Sequence, residues 1–327
     1  MIEEIQPSLF RVEIPLPNSP LKFLNSYVIR SSDRNLIVDT GLNRKECLEA
    51  MQSGLKQLDV DLARTDFFIT HLHADHFGLL SKLVTGTSHV FFNRPETELI
   101  EASGWWERMI AYAGRNGFPE SELREAIRSH PGREFASEWV PEINILQDGD
   151  EITAGNYRFK CVSTPGHSMG HTCLYEPEKK ILVAGDHILI DITPNIQCWS
   201  DDYHPLENYL ASLDKVNDLE IHLVLPGHRR LITDHRTRIA ELKEHHETRL
   251  REILSILGSE PRTAYEVASR MTWDLDCDSW EKFPRPQKWF ATGEAIAHLR
   301  HLQRKGLIIR KDAESMTWFT LSVPPRQ

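Results

Sequence analysis

Apolar positions near the start of the chain recur at a period of two. Residues 9–16, 25–30 and 35–38 read as short strands, parted by the turn-forming runs Pro17-Asn18-Ser19-Pro20 and Ser31-Ser32-Asp33-Arg34, so an antiparallel meander opens the chain. The period then lengthens. Between residues 44 and 58, Cys47, Leu48, Met51, Leu55 and Leu58 fall at helical spacing, and this covering helix leads into a strand at 66–70. A short helix at 79–84 and a strand at 89–92 follow. From 95 to about 141 helix formers dominate, with Gly104-Trp105-Trp106 and the run 120–128, which predicts a helical insertion. The insertion has two readings, a roof over a site or a packing and subunit-contact elaboration, because aromatic side chains serve both.

A second β-rich block covers 143–146, 151–153, 158–162, 172–175 and 180–183, with turns at Asp148-Gly149-Asp150 and Glu176-Pro177-Glu178. Two such blocks with interspersed helices predict an α+β fold in which two sheets stack and helices lie outside. Helical periodicity returns at 205–214 and 233–257. In the second of these helices, His245-His246 reads as part of a solvated face, since adjacent helical residues point in different directions. The tail begins with a short helix capped by Thr263, continues with a helix at 293–305 that carries Ile296, Leu299 and Leu302 on one face, and is stopped by Gly306. A hairpin at 307–310 and 317–321 completes it. The expected organisation is therefore a main domain at 1–232 containing the insertion at 95–141, a connecting helix at 233–257 and a small domain at 258–327.

Composition narrows the class. At 327 residues and 40% hydrophobic content the chain can bury a large core. It has no apolar run long enough to span a bilayer, and its start, Met1-Ile2-Glu3-Glu4-Ile5, is acidic rather than a basic leader, so no membrane association and a cytoplasmic location are expected. Cys47, Cys161, Cys173, Cys198 and Cys277 are scattered and form no Cys-x-x-Cys pair, which argues against a disulfide framework or a thiolate metal site. The net charge of −10 opposes generic nucleic-acid affinity, although residues 258–327 carry eleven Lys and Arg against nine Asp and Glu.

The chemistry concentrates in Thr70-His71-Leu72-His73-Ala74-Asp75-His76-Phe77-Gly78, directly after the apolar Phe67, Phe68 and Ile69. His71, His73, Asp75 and His76 are four metal-competent side chains within six positions, and so many imidazoles and carboxylates at the end of a strand are costly to bury without a cation. Three further strand ends that turn sharply carry one such group each: Thr164-Pro165-Gly166-His167, Ala184-Gly185-Asp186 and Leu225-Pro226-Gly227-His228.

The His-x-His-x-Asp-His run together with these three segments, in this order, resembles the metallo-β-lactamase superfamily over residues 8 to 230. The resemblance implies a four-layer αββα sandwich with a dinuclear centre at one edge. Carried onto the matching positions, His71, His73 and His167 would hold one ion, Asp75, His76 and His228 the other, and Asp186 would bridge them. The cofactor expected is two divalent ions per chain, zinc favoured by the imidazole-rich donor set over iron or manganese. Asp75 would also act catalytically, orienting a bridging hydroxide or relaying its proton. Asp39 of Asp-Thr-Gly is either an acceptor behind the ligands or a turn former, and His171 supports the loop on which His167 binds. Trp105, Trp106, Met109, Tyr112 and His187 are candidates for a substrate pocket.

The order helix, helix, hairpin in the tail resembles a winged-helix module such as is attached to certain hydrolases of this superfamily. It is either a nucleic-acid reader, which Glu294 and the modest charge disfavour, or a packing and homodimer element. The function expected first is hydrolysis of a small ester, thioester or lactone, with a small molecule as partner. A metal-dependent endoribonuclease and a ligand-sensing, DNA-binding regulator are the alternatives.

Overall fold

The computed structural model describes residues 1–322 apart from 103, 259, 276 and 314. The chain forms two compact units: Met1–Glu101 with Pro131–Pro194 and Ser212–Ile239, and Ala102–His130 with Asn195–Ala211 and Ala240–Gln327.

The first unit opens with the meander β1 (Ile2–Gln6), β2 (Leu9–Pro15), β3 (Phe23–Ile29) and β4 (Asn35–Val38). Helix α1 (Lys45–Gln57) leads to β5 (Thr65–Phe68), after which come the short helices α2 (Ala74–Phe77) and α3 (Leu80–Leu83), β6 (Val90–Asn93) and helix α4 (Arg94–Glu101). All these strands, with β7 (Ile143–Leu146), make a seven-stranded sheet in sequence order, antiparallel from β1 to β4 and parallel from β4 to β7. A second sheet of order β12-β11-β10-β9-β8 is built from β8 (Glu151–Ala154), β9 (Tyr157–Ser163), β10 (Thr172–Glu176), β11 (Ile181–Gly185) and β12 (Leu223–Pro226). Only β11 and β12 in it are parallel.

Period-two alternation decides which core each side chain enters. Leu24, Val28, Ile37 and Phe67 point to one face of the first sheet and pack with Cys47, Met51 and Leu55 of α1. Tyr27, Ile29, Leu36, Val38 and Phe68 point to the other and meet Ile152, Phe159, Cys161, Leu174, Val183 and Leu225 of the second sheet. Burial of each large aliphatic side chain stabilises this sandwich by roughly 1.5–3 kcal/mol. The sequence pattern does not predict β1, because Ile2 and Ile5 are only half-buried and Glu3 and Glu4 face solvent.

The second unit contains α5 (Trp105–Arg115), α6 (Glu120–Arg128), most of α9 (His235–Leu257), α10 (Ala264–Ala268), α11 (Arg285–Arg304) and the hairpin β13 (Ile308–Ala313) and β14 (Met316–Leu321). Two elements complete the chain order: α7 (Pro131–Glu134), and α8 (Pro205–Asn217), which follows β11. Residues 102–130, grouped by sequence with the main domain, pack instead with the tail. Helix α6 lies on α11, the Tyr265 N–H donates to the Asn116 carbonyl at 3.1 Å, and Phe118 meets Tyr265 edge-on.

Two further expectations change. Helix α11 begins eight residues before Gly293, whose missing side chain is a packing requirement rather than a boundary. A Cβ there would come within 2.7 Å of Trp199, which stacks on Trp289 with ring centroids 3.8 Å apart. His246 is buried rather than solvated, with Nδ1 3.0 Å from His298 Nε2 and its ring edge-on to Tyr209. The unit is also tied by Asp201, which receives Tyr112 Oη at 2.9 Å and pairs with Arg115, Arg300 and Arg310. No described helix is long and apolar enough to cross a membrane.

The buried histidines predict an acid response. Burial, reinforced by Arg249, pushes His298 down to about 3, and burial with His298 and His245 alongside holds His246 well below its usual value. In the unfolded chain both titrate near 6.5. Their contribution is therefore complete above pH 6.5 and declines as pH falls below it, for His298 down to about 3. Urea unfolding followed by tryptophan fluorescence should give a midpoint that falls between pH 7 and 5. The slope should be shallower in His298→Leu, and equal slopes would contradict the assignment.

Candidate metal centre

The segments that matter here all follow strand ends on one edge of the sandwich. Asp39 follows β4, His71 to His76 follow β5, His167 lies between β9 and β10, Asp186 follows β11 and His228 follows β12. Rigid strands thus fix where each loop starts, and two glycines let the loops converge. At Gly185, where φ is +47°, a Cβ would lie 2.8 Å from both His171 Nε2 and Thr70 Cβ, and at Gly227 it would lie 2.6 Å from Asp186 Oδ1.

Two groups of donors result. His167 Nε2 lies 3.2 Å from His71 Nε2 and 2.9 Å from His73 Nδ1, and the latter two atoms are 2.9 Å apart. In the second group His228 Nε2 is 3.3 Å and His76 Nε2 3.9 Å from Asp75 Oδ2. Asp186 reaches both, its Oδ2 lying 3.6 Å from His167 Nε2 and 3.4 Å from His228 Nε2, while Oδ1 is 3.5 Å from His76 Nε2. All seven side chains are buried except His73 and Asp75, which are partly exposed.

This donor set fits divalent ions. Ligands at about 2.05 Å from a tetrahedral ion lie roughly 3.3 Å from one another, close to the spacings observed. The side chains are also held with the correct atoms bare. His76 Nδ1 faces Asp39 Oδ2 at 2.7 Å, and His228 Nδ1 donates to the Phe23 carbonyl at 2.9 Å, so both Nε2 atoms point inward. Those two nitrogens and Asp186 Oδ1 are buried without a well-formed hydrogen bond, an arrangement that a cation relieves. Asp39 further accepts from the Thr70 N–H at 2.9 Å and from its hydroxyl, tying β4 to the ligand loop.

The electrostatics agree. Burial, and then the neighbouring rings of His76, His73 and His167, hold His71 well below the usual imidazole range; burial with His167 pushes His73 down to about 3. Both present free lone pairs at neutral pH. Burial disfavours charge on His76 and His228 too, but Asp39, Asp186 and Asp75 outweigh it at His76, and Asp186 and Asp75 raise His228 to about 10. Despite burial, His76 and His228 hold the Asp75 carboxyl down at about 2, and His228 and His76 hold Asp186 well below the carboxylate range. The carboxylate side of the site calls for positive charge, which protons or a metal ion can provide.

The other expected residues sit as follows. His171 is buried behind the ligands, with Nδ1 2.8 Å from Thr164 Oγ1, and its Nε2 accepts the Asp186 N–H at 3.1 Å. It therefore holds the Asp186 turn. His187 lies fully buried, its ring centroid 6.1 Å from that of His171, so it is withdrawn from solvent rather than exposed to a pocket. Trp105, Trp106, Met109 and Tyr112 lie on α5 in the second unit, Met109 and Tyr112 buried and the two tryptophans half-buried. The five cysteines are free and enter none of the donor groups among the described residues.

The residue pattern did not point to Asn25. It is fully buried; its side-chain amide donates to the carbonyls of Pro226 and Arg229 at 2.9 Å each, and its N–H donates to the Gly227 carbonyl at 2.7 Å. Tyr27 adds a hydroxyl donation to Pro226 at 2.8 Å. Together they fasten the turn that presents His228.

A sandwich of two mixed sheets with histidines and carboxylates converging at the strand ends defines a metal-binding hydrolase of the αββα type. The chain belongs to the metallo-β-lactamase superfamily, whose family model matches residues 20–228, and a metallo-β-lactamase-like C-terminal domain matches residues 250–322. A human protein named acyl-coenzyme A thioesterase MBLAC2 is 29% identical over 219 residues, which span 62% of this chain and 72% of the relative. A Caenorhabditis elegans protein named beta-lactamase-like protein 2 homolog is 24% identical across 97% of this chain and 91% of its own. A solved metallo-β-lactamase family protein from Thermus thermophilus superposes with a TM-score of 0.79 at 29% identity, covering 97% of this chain and all of the other.

Metal-stripped protein should gain thermal stability on adding zinc or manganese, by about 2.7 kcal/mol when the ion is at 100 times its dissociation constant. Because protons compete for His76 and His228, the gain should shrink as pH falls from 8 to 6. Asp186→Ala should lose most of it. Melting curves indifferent to metal and chelator would refute the fit.

Proposed function

We propose that the protein hydrolyses a small thioester, with related esters or lactones as further substrates, using two zinc ions at the strand-end edge. The observation that carries this is the convergence of His71, His73 and His167, of Asp75, His76 and His228, and of Asp186 between them. In this reading the first three residues would hold one ion, the next three would hold the other, and Asp186 would serve both. Two divalent ions there supply Lewis acidity, bringing the pKa of water toward neutrality and polarising a carbonyl oxygen.

The chain's own residues supply the rest. Asp75, partly exposed and anionic down to about pH 2, accepts a hydrogen bond from the attacking water and orients its lone pair toward the acyl carbon. Asp39 and the Phe23 carbonyl keep the His76 and His228 rings in the orientation that leaves Nε2 bare. As the C–O bond forms and the C–S bond breaks, one water proton passes by way of Asp75 to the departing thiolate, giving a thiol, and the second leaves the product acid for solvent, giving a carboxylate. The choice of a thioester is supported by the likeness to the relatives named acyl-coenzyme A thioesterase. The segment from 258 onward is read as a small winged-helix-like module serving packing or dimer formation, with the helices α10 and α11 followed by the β13–β14 wing.

A panel of acyl thioesters tests the reading. The metal-loaded protein should release free thiol, and His73→Ala and Asp186→Ala should each lower the rate at least 100-fold while the circular dichroism spectrum is kept. Asp75→Asn should lower kcat more than it raises KM. Cleavage of single-stranded RNA by protein inactive on every thioester would replace this reading with the endoribonuclease one, which the charge of −10 opposes.

A further inference from the structure

A buried carboxylate outside the ligand set joins two of the ligand-bearing loops. Glu96, in the first turn of α4, is 1% exposed, and no Lys or Arg among the described residues pairs with it. Its Oε2 accepts the N–H of Leu72, the residue between His71 and His73, at 2.6 Å. Its Oε1 accepts the Gly170 N–H at 3.0 Å and the hydroxyl of Ser168, the residue after His167. One carboxylate therefore holds one loop with each oxygen.

The surroundings are shaped for this role. Asn93 Oδ1 accepts the Glu96 N–H at 3.0 Å, and the Thr97 hydroxyl donates to the Asn93 carbonyl at 2.7 Å, so the turn that carries Glu96 is fixed from both ends. Position 170 has to be glycine for the loop to come this close, because a Cβ there would lie 1.8 Å from Asn93 Oδ1 and 3.0 Å from Glu96 Cγ. A carboxyl without a cationic partner is expensive to bury in its ionised form, and here two backbone N–H groups, a hydroxyl and the first turn of a helix offset part of that cost, burial still holding it above the ordinary carboxyl value. A side chain needed only to fill space would not carry a carboxyl group. An acceptor facing two donors that approach from separate loops is what sets the distance between those loops.

We infer that Glu96 is a positioning residue that clamps the loop of His71 and His73 to the loop of His167, and so sets the affinity of that trio for its ion. The inference rests on the ligand assignment proposed above. Glutamine does not reproduce the clamp, since it has one acceptor oxygen and turns an N–H toward whichever loop donor it faces.

Cobalt titration followed by visible absorption tests this on the full chain. Wild-type protein should bind two ions. Glu96→Gln and Glu96→Ala should weaken the trio's ion by 10-fold or more, on the scale seen when groups behind metal ligands are lost, and leave the other ion within about 2-fold. Ser168→Ala, which removes one of three donors, should weaken it less and serves if the Glu96 variants do not fold. In a His73→Ala background, where the trio is already broken, Glu96→Gln should have no further effect on cobalt affinity. Unchanged affinity in the folded Glu96 variants, an equal loss for both ions, or a further loss in the His73→Ala background would each overturn the clamp. Should only Ser168→Ala fold, unchanged affinity in it would also overturn the clamp. Wild-type protein that binds no cobalt would instead overturn the ligand assignment itself.

Discussion

Five imidazoles and two carboxylates, nearly all withdrawn from water, share one small volume at the edge of the sandwich, and much of the first unit is arranged so that they can. Without a cation the crowded imidazoles on one side of such a set resist protonation, while the carboxylates on the other side demand positive charge. The molecule shows both effects: His71 and His73 are kept neutral, while His76 and His228 are driven toward protonation by Asp39, Asp75 and Asp186. Divalent ions resolve both at once, because they take up lone pairs on one side and balance carboxylates on the other. The strands hold the loops close enough for this to matter. Gly185 and Gly227 admit the approach, and Asp39, Thr70, Asn25 and His171 keep it from relaxing.

The ligand candidates were legible because each lies in a local pattern. His71 to His76 follow an apolar strand within six residues, and His167, Asp186 and His228 each sit beside a glycine at a strand end. What supports them was not. Asn25 lies in a strand that reads as ordinary meander, and its partners are backbone carbonyls some 200 positions away. Glu96 looks like any acidic residue in the first turn of a helix, and nothing in its neighbourhood announces that its acceptors are used by residues 72, 168 and 170. Backbone groups leave no trace in a residue pattern, so support built from them is invisible until the fold is known.

The second unit was harder to read for a related reason. Gly293 resembles a helix boundary, yet it lies within a continuous helix because an indole packs where its side chain would be. His246 sits in a strongly charged helix and still turns inward to His298. In both cases one tertiary contact overrides the local preference. Residues 102–130 likewise follow their packing partners in the tail rather than their neighbours in sequence.

The fastening of the His228 turn by Asn25 and Tyr27 bears on how the centre comes into being. Strand β3 leaves the ribosome well ahead of the turn it holds, since the carbonyls bound by Asn25 belong to Pro226 and Arg229, 201 and 204 residues further on. Until that distant turn has been synthesised, the polar groups of Asn25 and Tyr27 lack their partners and the donor set is incomplete. Metal capture is therefore tied to the late closing of the sandwich. A chain interrupted before residue 223 would keep the His-rich loop without β12 and without His228.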